Sequence, residues 1–197
     1  MKQDHALLIV DVQNDFCPNG ALAVADGDTV AAVLNKYIAV FVKQGSLVIA
    51  SRDWHPKKTK HFKDFGGLWP AHCVANTPGA AFHPVLKLPA RTIVVSKGMD
   101  PDKDSYSAFQ AVDERGRPLP DILKDAGVKE LWIGGLATDY CVKASVLDGL
   151  KHFRVNLLMD AIKGVDLNPG DSREALEEMT KAGAVKMTLK ELEAIRE

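Results

Sequence analysis

The chain has 197 residues with 25 Lys and Arg against 26 Asp and Glu, a formal net charge of -1. That balance excludes the basic footprint of a nucleic-acid binder, and the absence of a twenty-residue apolar run excludes a transmembrane helix. The hydrophobic share of 46% suits a folded core in one domain spanning 1–197, and three cysteines, an odd and sparse set, fit reduced thiols in a cytoplasm.

The N-terminal residues Met1-Lys2-Gln3-Asp4-His5 run straight into Ala6–Val10, with no signal-peptide pattern between. Ala6–Val10 is continuously apolar, as expected of a strand buried on both faces of a parallel sheet. It ends at Asp11, and a turn-rich loop, Val12 to Gly20, follows. Thr29–Gln44 reads as an amphipathic helix stopped by Gly45, then Leu47–Ser51 as a second strand leading into Arg52-Asp53-Trp54-His55-Pro56. An excursion at about 52–90, rich in Pro, Gly, His and Lys from Pro56 on, is too long to be only a connector, so function is expected there. Its lysines, Lys57, Lys58, Lys60 and Lys63, read as a solvated loop.

Arg91–Ser96 predicts a third strand leading to Lys97-Gly98, and Pro120–Ala126 a helix. Glu130–Ile133 predicts a fourth strand that ends at Gly134-Gly135. From Thr138 the apolar spacing becomes helical, so Thr138 is the expected cap and Cys141 falls in the first turn. There the free amides and the helix dipole favour a thiolate, and backbone N–H groups around Ala137 and Cys141 can face an oxyanion. Arg154–Met159 is a fifth strand with Asp160 at its end. Asp171–Ala182 reads as a helix, Ala184–Met187 as a short last strand and Leu189–Arg196 as a terminal helix. The alternation predicts an α/β fold: three layers, a mostly parallel central sheet, helices on both faces.

Asp11, Asp53, Lys97 and Cys141 all fall at or just beyond carboxyl ends of predicted strands, the edge where open α/β sheets bind ligands. A cysteine hydrolase needs a thiolate, a proton carrier and an oxyanion hole. The histidines lie mainly in the excursion, so Asp11, desolvated at a strand end, is the better base, with Lys97 beside both carboxylate and sulfur. Asp53 and His55 stand two apart in an extended segment and project to one side; His72 can close a metal site from the loop. Such a donor set suits zinc, iron(II) or manganese without choosing among them. A nucleotide-binding module has no support, because no G-x-G-x-x-G or G-K-[ST] loop exists.

Five blocks, Asp11–Phe16, Ser51–Pro56, Trp69–Val74, Lys97-Gly98 and Gly135–Val142, resemble the nicotinamidase branch of the isochorismatase-like cysteine hydrolases in order and spacing, over nearly the whole chain. The resemblance implies a catalytic triad of Asp11, Lys97 and Cys141, an oxyanion hole from the amides of Ala137 and Cys141, and a cis peptide before Ala137. It implies one divalent metal per chain, zinc before iron(II) or manganese, on Asp53, His55 and His72. Some relatives add a histidine where His61 stands, many a serine. Phe16, Trp69 and Tyr106 match residues that wall the ring of the substrate, nicotinamide, which such enzymes convert to nicotinate and ammonia in NAD salvage; pyrazinamide is often accepted. Metal-free relatives such as isochorismatases generally lack the Asp53, His55 and His72 set. Homo-oligomerisation stays open, since relatives occur as monomers, dimers and larger assemblies. Tyr140 reads as scaffold, and Cys17 and Cys73 as structural.

Overall fold

The computed structural model describes residues 4–195, and for residue 195 the backbone alone. Among these, six strands form one sheet in the order β3-β2-β1-β4-β5-β6, every neighbouring pair parallel. The strands are β1 (His5–Val10), β2 (Leu47–Asp53), β3 (Ile93–Lys97), β4 (Glu130–Leu136), β5 (Arg154–Lys163) and β6 (Val185–Met187). Parallel strands need crossovers, which here are supplied largely by helices on both faces. α1 (Thr29–Lys43) and α5 (Leu189–Ile195) cover one face, while α2 (Leu119–Ala126), α3 (Lys143–Gly149) and α4 (Asp171–Lys181) cover the other. The strand period of two is visible in β1, where Leu7 and Ile9 enter the α1 layer and Ala6, Leu8 and Val10 the opposite one. The expected Arg196 end of the last helix lies outside the described residues, as do Met1, Lys2 and Gln3.

Three expectations need correction. The predicted β4 stopped before Gly134-Gly135, but both glycines lie inside the strand. A side chain on Gly135 (φ 128°) would sit 2.0 Å from the carbonyl oxygen of Val10, so only glycine lets β1 and β4 approach this closely. Pairing of β4 with β5 shifts register between Ile133 and Gly135, and β5 continues past Asp160 to Lys163. Asp160 therefore belongs to the strand interior; it accepts hydrogen bonds from the Tyr37 hydroxyl (2.7 Å) and the Leu189 amide (2.9 Å) and so ties α1 and the start of α5 to β5. Finally, Ala137 is the residue before the helical turn, and Thr138 makes no capping bond. The turn Thr138–Val142 is a π-turn, with the Val142 amide donating to the Ala137 carbonyl at 3.0 Å, before α3 begins.

The sheet order changes direction between β1 and β4, so the crevice past their carboxyl ends is the expected ligand site. Asp11 follows β1; Ala137 and Cys141 follow β4.

Candidate active site

Four strand ends deliver one buried cluster. Asp11, Lys97, Asp53 and Cys141 are all buried, the first two essentially completely. The Lys97 ammonium lies 3.0 Å from Asp11 Oδ2 and 3.4 Å from Cys141 Sγ, and it donates a short hydrogen bond to Asp53 Oδ1. It also reaches the Ser105 carbonyl at 3.3 Å. Asp11 Oδ1 accepts from the Ser51 hydroxyl at 2.7 Å. Parallel pairing accounts for part of this meeting, since β2–β3 register sets Asp53 directly opposite Lys97. Gln13 then pins the end of β2, donating to the Asp53 and Ala80 carbonyls at 2.8 and 2.9 Å and accepting the Asp53 amide at 2.8 Å.

Charge in this cluster follows from burial set against pairing. Desolvation raises the proton affinity of Asp11 above the ordinary carboxylate range, although Lys97 and the Ser51 bond oppose it. Burial also works to raise Asp53, but the Lys97 charge and the short bond from Lys97 oppose it and hold Asp53 below that range. For Lys97 burial disfavours the ammonium, yet Asp11 and Asp53 overcome it and keep it charged. Cys141 departs from the sequence expectation: burial pushes its thiol well above the usual value, Lys97 opposes, and Asp11 and Asp53 add to the rise. Burial thus works against a preformed Cys141 thiolate and raises the proton affinity of the neighbouring Asp11.

Beyond Asp53 stand His55, His61 and His72, all buried, with ring nitrogens within 4.8 Å of one another. Asp53 Oδ2 lies 3.6 Å from His55 Nε2 and 4.0 Å from His72 Nε2, so this carboxylate joins the two groups. Each ring uses Nδ1 elsewhere: His55 on the Gly98 carbonyl (3.0 Å), His72 on the Pro70 carbonyl (2.8 Å), His61 on Asp104 Oδ1 (2.5 Å). A carbonyl can only accept, so His55 and His72 carry the proton on Nδ1 and leave Nε2 with a lone pair facing the cluster. His55 Nε2 is buried without a hydrogen-bond partner. Burial holds His72 down to about 4 and lowers His61 as well, keeping both rings neutral near pH 7. Neutral, oriented imidazoles and one carboxylate fit a divalent cation. Gly98 (φ 70°) is required here, because a side chain would come within 2.5 Å of the His55 ring.

The two groups share a cavity of about 400 Å³, counting its open mouth. Asp53, His61 and His72 line it with Ala137 and Cys141, and Phe16, Trp69, Tyr106 and Tyr140 supply aromatic walls. Trp69 Nε1 donates to the Tyr106 hydroxyl at 3.0 Å, and the Tyr140 ring meets Trp69 edge-on at 5.0 Å. Tyr140, expected to be scaffold, is therefore a wall of the cavity. The peptide between Leu136 and Ala137 is cis. Cys17 and Cys73 are free and buried in the α1-side core.

Sequence reasoning missed Gln13, Ser51, Asp15, Asp104 and Asp139, whose partners are distant in the chain. Asp15 accepts the Cys73 amide at 2.7 Å, and Asp139 accepts those of Val165 and Asp166 at 2.9 and 2.8 Å. The available signal was that Gln13, Asp15, Ser51 and Asp139 sit inside the recognised blocks Asp11–Phe16, Ser51–Pro56 and Gly135–Val142, whereas Asp104 lies outside all five.

A cysteine one turn beyond a central strand, over buried lysine and carboxylate at the switch point of a parallel sheet, places this chain in a definite class of α/β proteins. The isochorismatase domain model matches residues 5–191, and the chain belongs to that family. It is 44% identical to the nicotinamidase of Escherichia coli over 95% of this chain and 96% of that protein. To the nicotinamidase/pyrazinamidase of Mycobacterium tuberculosis it is 40% identical, over 90% and 95%. The crystal structure of the Pyrococcus horikoshii pyrazinamidase in complex with zinc superposes with a TM-score of 0.87 at 46% identity, covering 95% of this chain and all of that one. Among the described residues no helix is long and apolar enough to cross a membrane.

Proposed function

We propose that this chain is a single-domain metal-dependent amidohydrolase that converts nicotinamide to nicotinate and ammonia in NAD salvage, and accepts pyrazinamide. One observation carries the reading: Asp53 joins a buried Asp11–Lys97–Cys141 cluster to three oriented histidines beside a cavity with aromatic walls. Such walls suit a flat, neutral heteroaromatic amide.

Asp11 takes the Cys141 proton as the sulfur attacks the carboxamide carbon. Lys97 offsets the charge that develops, which burial otherwise opposes. The amides of Ala137 and Cys141 receive the oxyanion. Asp11 returns its proton to the departing nitrogen, ammonia leaves, and a Cys141 thioester remains. Asp11 then removes a proton from water as the oxygen attacks the thioester; nicotinate leaves and the proton returns to sulfur. Phe16, Trp69 and Tyr106, with Tyr140, hold the ring so that the carboxamide meets the sulfur. Asp53, His55, His61 and His72 would hold the cation, for which zinc is the first choice and iron(II) or manganese chemically compatible. When bound, that ion supplies a directional Lewis-acid contact for a ring nitrogen. The protein is then cytoplasmic, with its small-molecule substrate as partner. Ammonia release from nicotinamide, lost on chelation and regained with zinc, is the expected result; no release by the metal-loaded protein would refute the proposal.

A further inference from the structure

Among the described residues, the three histidines differ in what holds them. His55 and His72 lean on backbone carbonyls, whereas His61 leans on a carboxylate, Asp104, at 2.5 Å. Asp104 is mostly exposed, its side chain at 62%. It gains nothing obvious from burying one oxygen against a ring, and it sits in the loop 98–107 between β3 and the short turn before α2.

That loop touches the histidine group, the buried lysine and the cavity wall. Gly98 accepts from His55, Ser105 accepts from Lys97, and Tyr106 accepts from Trp69 on the cavity wall. Its middle is tied to the segment bearing His61: the Lys60 amide and the Thr59 hydroxyl both donate to the Pro101 carbonyl (2.8 and 3.1 Å), and Lys60 pairs with Asp102 at 2.8 Å. Two side chains of this loop reach a ring of the metal-binding group, both at His61: the Asp104 carboxylate, which bonds Nδ1, and the Tyr106 ring, edge-on with centroids 5.8 Å apart.

We infer that Asp104 is a positioning residue that fixes the His61 ring for the cation and thereby couples metal binding to closure of the loop carrying Tyr106. The inference rests on the metal reading given above. A carboxylate on Nδ1 sets the tautomer, aims Nε2 inward and strengthens it as a donor. The coupling is reciprocal: a ring held by a cation holds Asp104, and Asp104 holds the chain two residues before Tyr106.

Asp104→Ala and Asp104→Asn test this, since an exposed loop side chain leaves the core intact. Zinc affinity is measured by competition with a chelator, and amide hydrogen exchange is followed over 98–107 with and without zinc. Asp104→Ala should bind zinc about 10- to 100-fold more weakly. Zinc should protect the loop in the wild type and much less in that variant. Asp104→Asn keeps an acceptor for Nδ1–H and should recover much of the affinity. At saturating zinc, KM for nicotinamide should rise several-fold in Asp104→Ala with kcat nearly unchanged, the pattern of a lost wall rather than lost chemistry. Zinc affinity within about threefold of wild type, or equal losses in both variants, would overturn the inference. A wild-type protein that takes up no zinc would sink the metal reading itself, which separates the two failures.

Discussion

The two halves of the site are built differently. Asp11, Lys97 and Cys141 hang from strand ends and a helical turn and contact one another in the buried interior. The histidines hang from the irregular stretch 54–72, and each is oriented by an atom outside its own ring group: two carbonyls and one exposed carboxylate. A sheet gives precision through register, whereas a loop gains it through outer contacts. The first half should fail through chemistry and stability, and the second through affinity.

The largest separation comes from Cys141→Ala. Turnover should fall at least about 10⁴-fold, while zinc content per chain, measured by atomic absorption, stays at the wild-type value. A variant that lost both together would mean that the halves are not independent. Lys97→Met comes next, since it leaves Asp11 and Asp53 buried with no cation between them. Breaking such a buried pair costs about 3–5 kcal/mol, to be read from urea unfolding, with activity lost as well. His55→Ala should behave in the opposite way. Zinc affinity should drop about 100-fold or more, unfolding should change little, and excess zinc should restore part of the activity.

The smallest effect sharpens the comparison within the strand-end half. Asp11 must be ionised to accept the thiol proton, and burial raises its proton affinity, so activity should fall as pH drops through a value above the ordinary 3.8. The Ser51 hydroxyl favours the ionised form. Removing it in Ser51→Ala should move the acid limb of kcat/KM upward by up to about one pH unit. An acid limb that stays in place would show that Asp11 does not set it.

The family blocks made the strand-end half legible because its residues stand at the boundary between apolar runs and turns, where buried strands stop for a reason. The same pattern located His55 and His72. It failed at Asp160, since a strand that continues past a bulge looks like one that has ended, and at Thr138, since a cap residue gives no sign of a π-turn. It also failed at Tyr140, which sits next to Cys141 in the widened turn and lines the cavity.

The sequence by itself determined the alternation of strands and helices and the residue types gathered at one sheet edge, because each is a local pattern of hydrophobicity and spacing; the family came from the resemblance of five blocks in order and spacing. Tertiary structure alone decided that Asp53 meets both Lys97 and the histidines, that burial raises the Cys141 thiol and that Asp104 contacts His61. The Asp104–His61 and Asp53–Lys97 contacts join residues 43 and 44 positions apart, and the Cys141 shift comes from the removal of water, which no local pattern encodes.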